Sequence, residues 1–191
     1  MRDEEYQPEQ IGEYGVRAQP ALVARMRPQL RLTQLGNAVA LLALVSAVLG
    51  VVWYPRYDAV GGGFGWAVTT LVCSGVLLLI CSFQHFCWLR AMTEWSGRAD
   101  LRLEPLMRVS WIVHLVSYLV VLVTLWSTVT AVVYAGWMAT SAVALTLCLV
   151  LMLAAQVTAA VQYLRMSGPP GTVPAHMRRL AQRERRARLG Q

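Results

Sequence analysis

The chain of 191 residues contains no lysine: all 17 of its basic residues are arginine, set against 10 acidic ones. Arginine and alanine codons can be rich in G and C while lysine codons cannot, so the bias points to a G+C-rich bacterial genome and carries no mechanism. Acidic residues are absent from four long apolar segments, at about 32–54, 64–89, 107–130 and 137–164, and what charge there is sits at their ends. Without a carboxylate inside any of them there is no paired general acid and base and no carboxylate proton relay. Close cysteine pairs are missing too. Cys73, Cys81, Cys87 and Cys148 all fall inside the apolar segments and form no CxxC, which argues against a disulfide framework. The Gly61–Gly63 run is followed by Phe64-Gly65-Trp66 and not by a lysine, so it cannot be a phosphate-binding loop. The first thirty residues are polar and charged, and the apolar run after them is too long for a signal core; the first segment is expected to be an uncleaved anchor. Arg2 and the closing Leu189-Gly190-Gln191 carry no lipidation signature.

What is present is apolar surface. Hydrophobic residues make up 57% of the chain and charged ones 14%, a balance foreign to soluble domains. Crossing a hydrocarbon core of about 30 Å takes about 20 helical residues, and each segment is that long. The expected fold is all-α, an integral four-helix transmembrane bundle over residues 32–165. Residues 1–31 form a tail whose last part, Ala21–Arg31, reads as a short interfacial segment interrupted at Pro28. Residues 166–191 form a second, basic tail. Glu104-Pro105 marks a helix start, and a tight hairpin is expected within Ser127–Met138.

Arginine also sets the threading. Five lie before the first segment, one (Arg56) in the first loop, four in the second, none in the third and seven after the last. By the positive-inside rule both termini and the second loop are cytoplasmic, in the inner membrane of a bacterium. Arg178, Arg179, Arg183, Arg185, Arg186 and Arg188 are expected to meet anionic inner-leaflet lipid, at about 1 kcal/mol each near the surface. Nothing in the tail suits nucleic-acid recognition.

Each segment ends in an arginine on this side, so depths can be compared. Asn37 lies six residues past Arg31, His85 five before Arg90, His114 six past Arg108, and Gln156, Thr158 and Gln162 nine, seven and three before Arg165. With Cys81, Gln84, Ser110 and Ser117 they form a polar layer roughly 5 to 14 Å inside the boundary. Helical spacing puts Ser110, His114, Ser117, Thr124 and Thr128 on one stripe; Thr140, Ala144, Cys148, Ala155, Thr158 or Ala159, and Gln162 on another; and Ser74, Leu78, Cys81, His85 and Trp88 on a third. Stripes of small and hydroxylated residues are what helices in lipid pack together.

The layer has two chemical readings. His85 and His114 on facing helices could supply axial imidazoles to a haem, or act with Cys81 on a metal ion, or frame a quinone. Alternatively each histidine bonds a hydroxyl or amide on a neighbouring helix, and no cofactor or metal is held. We expect the second. The functional expectation is a non-catalytic accessory, assembly or scaffold subunit with a membrane-protein partner or as a homo-oligomer. The alternatives are a small oligomeric permease or channel lined by the stripes of the third and fourth segments, and the haem or quinone protein.

Overall fold

The computed structural model describes residues 20–55, 62–95, 104–136 and 139–166, and these form four α-helices with no strand among them: α1 (Pro20–Val52), α2 (Gly63–Trp95), α3 (Glu104–Ala135) and α4 (Thr140–Met166). Each is long and apolar enough to cross a membrane, so the chain is a multi-pass membrane protein. α1 packs on α2 and α4, and α3 packs on the same two, while contact across the diagonals is slight. The α1–α4 contact is the most extensive and the α3–α4 contact the thinnest.

α3 starts at Glu104, as Glu104-Pro105 predicts. The break expected at Pro28 is not seen, and α1 runs through it as one helix. Proline removes one backbone donor, leaving the Ala24 carbonyl without its helical partner, which a helix tolerates near its end. The hairpin is tighter than expected: α3 continues to Ala135 and Gly136 takes a φ of 83°. Gly136 N–H donates to Val132 O (3.0 Å) and Ala139 N–H to Gly136 O (3.1 Å), the left-handed cap that glycine adopts without a Cβ penalty. No earlier residue in Ser127–Ala135 is a glycine or proline, so nothing stops the helix before it.

All four helices bury one face with spacings of three and four residues in alternation. On α1 it is Gln29, Thr33, Gly36, Ala40, Ala43, Ala47 and Gly50; on α2, Ala67, Thr70, Ser74, Leu77, Cys81, Gln84 and Trp88. On α3 it is Ser110, His114, Ser117, Val121, Thr124, Thr128 and Ala131; on α4, Ser141, Leu145, Cys148, Met152, Ala155, Ala159 and Gln162. This is the heptad spacing of coiled-coil seams. Pairs such as Gln29–Gln162, Thr33–His85, Thr70–Thr128 and Ser117–Gln156 pin the register. Seven layers of four buried residues result.

The two long seams differ in chemistry. α1 meets α4 through glycine and alanine, so close that a Cβ on Gly36 would lie 2.6 Å from Thr158 Oγ1 and one on Gly50 2.7 Å from Leu145 Cδ2. α2 meets α3 through hydroxyls, with Thr70 Oγ1 2.9 Å from Ser127 Oγ and 3.3 Å from Thr128 Oγ1. Large apolar residues face outward: Trp126 is 68% exposed while its neighbour Ser127 is fully buried. At the hairpin end Tyr54 closes the bundle, its hydroxyl donating to Ala131 O (2.8 Å) and its ring edge-on to Phe64 at 6.1 Å. Gly63 is needed there because a Cβ would collide with the Tyr54 hydroxyl and with Tyr134.

Overpacking costs about 1–3 kcal/mol where the neighbours cannot yield. Gly50→Ala, against fully buried Leu145, is expected to lower the unfolding midpoint in detergent by that amount, while Gly65→Ala, with nothing within 4 Å of its Cβ, is neutral or slightly stabilising. Equal midpoints for the two variants would refute the close α1–α4 approach.

Candidate functional site: a polar end of the bundle

Three layers from the arginine-flanked end hold Cys81, Gln84, Ser110, His114, Ser117 and Gln162 of the polar residues named above, while Asn37, His85, Gln156 and Thr158 lie beside them, off the layered face. The first layer is Gln29, Trp88, Ser110 and Gln162; the second Thr33, Gln84, His114 and Ala159; the third Gly36, Cys81, Ser117 and Ala155. A layer of Ala40, Leu77, Val121 and Met152 then seals them from the hydroxyl layers beyond.

Several of these groups are satisfied between helices. Gln162 Nε2 donates to Gln29 O (2.7 Å), joining α4 to α1. Gln156 Nε2 donates to Ser117 Oγ (3.0 Å), and Ser117 Oγ donates to His114 O (2.6 Å), joining α4 to α3. Thr158, half-buried, donates to Ala155 O (2.7 Å) and fills the space that Gly36 leaves open. Cys81 is buried in the apolar cluster with Ala40, Leu77, Cys148 and Met152.

The two histidines lie on different seams. On α2 the inward spacing is 74, 77, 81, 84, 88, so Gln84 and Leu77 face the core, and His85 and Leu78, expected there, are turned away and only half-buried. Both phases keep three-and-four spacing from Ser74 to Trp88, and only packing decides between them. His85 Nδ1 is 3.0 Å from Thr33 Oγ1 on α1. Thr33 donates its own proton to Leu30 O (2.8 Å), so the threonine accepts from an Nδ1–H. His114 is 3% exposed and stacks on Tyr163 of α4, centroids 5.5 Å apart and planes 8° from parallel. Tyr118 stands edge-on to it at 5.1 Å, with its hydroxyl 3.4 Å from Nε2, and Trp111 stands edge-on to Tyr163 at 5.9 Å. Among the described residues no three His, Cys, Asp or Glu side chains form a metal-sized group. On α4 the inner face starts at buried Ser141, and Thr140 is exposed.

Two features escaped the sequence reading. The first is a set of buried polar atoms with no partner among the described residues: Gln29 Oε1, Gln84 Nε2, Trp88 Nε1 and His114 Nδ1, all in the first two layers. The fifth such atom, Ser141 Oγ, is at the opposite end. The second is a polar strip on the outer rim of the α1–α2 groove. Ser82, exposed, donates to Asn37 Oδ1 (2.9 Å), and exposed Gln34 lies one turn from Asn37. Arg178, Arg179, Arg183, Arg185, Arg186 and Arg188 lie outside the described residues.

Hydrogen bonds between helices in lipid contribute about 0.6 kcal/mol on average and up to about 1.7. A Ser117→Ala/Gln156→Leu double-mutant cycle, followed by unfolding in mixed micelles, is expected to give a coupling energy in that range, and a Ser82→Ala/Gln156→Leu cycle one near zero. Zero coupling in the first cycle would remove the α3–α4 link.

No protein-family model, no curated protein and no solved structure matches the chain, so the functional reading rests on the geometry of the bundle's arginine-flanked end.

Proposed function

We propose that the protein is a non-catalytic accessory, assembly or scaffold subunit of a bacterial inner-membrane complex, with both termini in the cytoplasm and its basic C-terminal tail on anionic inner-leaflet lipid. The observation that carries this reading is the outer rim of the α1–α2 groove. Gln34 and Ser82 are exposed and Asn37 half-buried at depths of roughly 5 to 12 Å from the flanking arginines Arg31 and Arg90. Serine and threonine in lipid-facing helices can bond their own backbone, as Thr69 and Thr130 do with the carbonyls four residues earlier. An amide cannot be satisfied that way. Asn37 accepts one bond from Ser82, and its Nδ2 protons, like the Gln34 amide, have no described partner. Amides at this depth are what interhelical contacts use as polar glue, and a transmembrane helix of another subunit seated in the groove supplies the missing partners.

The permease alternative gains no support. The α3 and α4 stripes that would line its path, Ser117, Thr124, Thr128 and Cys148 among them, are buried between helices of the same chain.

A photo-crosslinker placed at residue 34 or 82 in the native membrane is expected to capture one partner in stoichiometric yield, and one at Leu122, on the outer face of α3, is not. Asn37→Leu is expected to reduce that partner's recovery in mild detergent at least tenfold while costing the isolated protein no more than the Ser82–Asn37 bond, about 0.6 kcal/mol. Recovery of only a homo-oligomer, or equal crosslinking from both faces, would contradict the accessory reading.

A further inference from the structure

The unpartnered atoms at the arginine end are unusual in being mostly donors. Trp88 Nε1 can only donate, and Gln84 Nε2 is the amide nitrogen. His114 Nε2 faces the Tyr118 hydroxyl; with that hydroxyl donating, the ring proton sits on Nδ1, the unpartnered nitrogen. Two N–H groups, joined by a third in the Nδ1–H tautomer of His114, thus share two adjacent layers with one unpartnered acceptor, Gln29 Oε1. Their residues are buried to 4% exposure or less. The α2–α3 register that pairs Thr70 with Thr128 also places Gln84 level with His114 and Trp88 level with Ser110. A buried donor without an acceptor costs about 1–3 kcal/mol, so donors left over in two adjacent layers indicate a ligand atom or water that accepts from them.

The surroundings narrow the ligand. None of the eight side chains in these two layers is a carboxylate, an arginine or a lysine, so the acceptor is uncharged. Trp88 lies two residues from Arg90, and Gln84 and His114 six residues from Arg90 and Arg108, roughly 3 to 9 Å inside the flanking arginines, so a molecule that reaches them from the side of the bundle is lipid-soluble. Its entry is on the α3–α4 side, where helix contact is thinnest and the lipid-exposed rings of Trp111 and Tyr118 flank the buried His114. Flat rings at the mouth and N–H donors behind them suit a carbonyl oxygen.

We propose that the first two layers bind the carbonyl oxygen of a neutral, lipid-soluble molecule entering between α3 and α4, with Gln84, Trp88 and His114 as donors. Two membrane constituents carry that group, the head ring of an isoprenoid quinone and the acyl ester of a diacylglycerol-type lipid. Binding alone is proposed, without electron transfer. The site is separate from the α1–α2 groove, and Asn37→Leu leaves it untouched.

The test titrates the full-length protein in nanodiscs with a short-chain benzoquinone and, separately, with a short-chain diacylglycerol, following the carbonyl stretch by infrared difference spectroscopy. Saturable binding with a downshifted carbonyl band is expected for one of the two, and which one identifies the source. Trp88→Phe keeps a ring and removes only the N–H; Gln84→Leu removes the amide at similar size. Each is expected to weaken binding roughly tenfold, the usual worth of one such bond. Ser141→Ala, which removes the unpartnered group at the far end, is expected to bind as the parent does. Unfolding midpoints of the variants separate lost binding from lost folding. The proposal is overturned if neither ligand saturates, or if the Trp88 and Gln84 variants fold and bind as the parent does, which would leave these N–H groups to water.

Discussion

A helix in lipid that moves against another helix exchanges one apolar surrounding for another, so burial of apolar area does not hold this bundle together. Close approach and interhelical hydrogen bonds must do it. The rest of the structure depends on that constraint. It explains why the core is mostly glycine, alanine, serine, threonine and cysteine, with most leucine and valine side chains outside. It also explains the regular spacing. Contacts between small residues are short-ranged, and only a three-and-four repeat keeps the same face against its neighbour through seven layers. The α1–α4 seam takes the close-approach solution through Gly36, Ala40, Ala43, Ala47 and Gly50. The α2–α3 seam takes the hydrogen-bonding one, with Thr70 against Ser127 and Thr128.

Hydroxyls and amides play different parts in such a core. Thr70, Ser74, Thr124 and Ser127 each donate to a carbonyl three or four residues earlier in their own helix. They carry their satisfaction with them, and could sit at any depth without a partner. Glutamine, asparagine and histidine have more hydrogen-bonding capacity than their own helix can absorb, so each requires a neighbour. In this chain the described residues of those types all lie near the arginine-flanked end. Gln156 and Gln162 find their partners inside the bundle; Gln84 and His114 leave nitrogen atoms without one.

Much of this was legible in the sequence. Four apolar segments of spanning length, an arginine at one end of each, and a polar layer at a common depth are all composition and counting. What counting could not choose was the phase of the repeat. Ser74, Leu78, Cys81, His85, Trp88 and Ser74, Leu77, Cys81, Gln84, Trp88 have the same mixture of threes and fours. In water the apolar member would be assigned to the core, but here both faces are apolar and that rule is silent. The α1 face was readable in principle, since Gly36, Ala40, Ala43, Ala47 and Gly50 are its small residues at seam spacing. The lengths of α1 and α3 were missed for a local reason: a proline near a helix start does not end it, and apolar residues without a glycine do not either.

The partition of polar groups also sets the arginine-flanked end apart from the rest of the fold. Leucine or alanine in the first two layers would pack without needing a partner, so polar groups there lower stability unless something meets them. The sealed hydroxyl layers carry almost no such cost. The inner donors of Gln84, Trp88 and His114 and the outer amides of Gln34 and Asn37 do, and they are held on opposite sides of the same end, one set inside the bundle and one on its rim. α2 carries Gln84 on its core face and Ser82 and His85 on its α1-facing side, and α1 carries Thr33 in the second layer and Asn37 on the rim, so these two helices meet both sets. The Thr33–His85 bond joins these two helices between the sets.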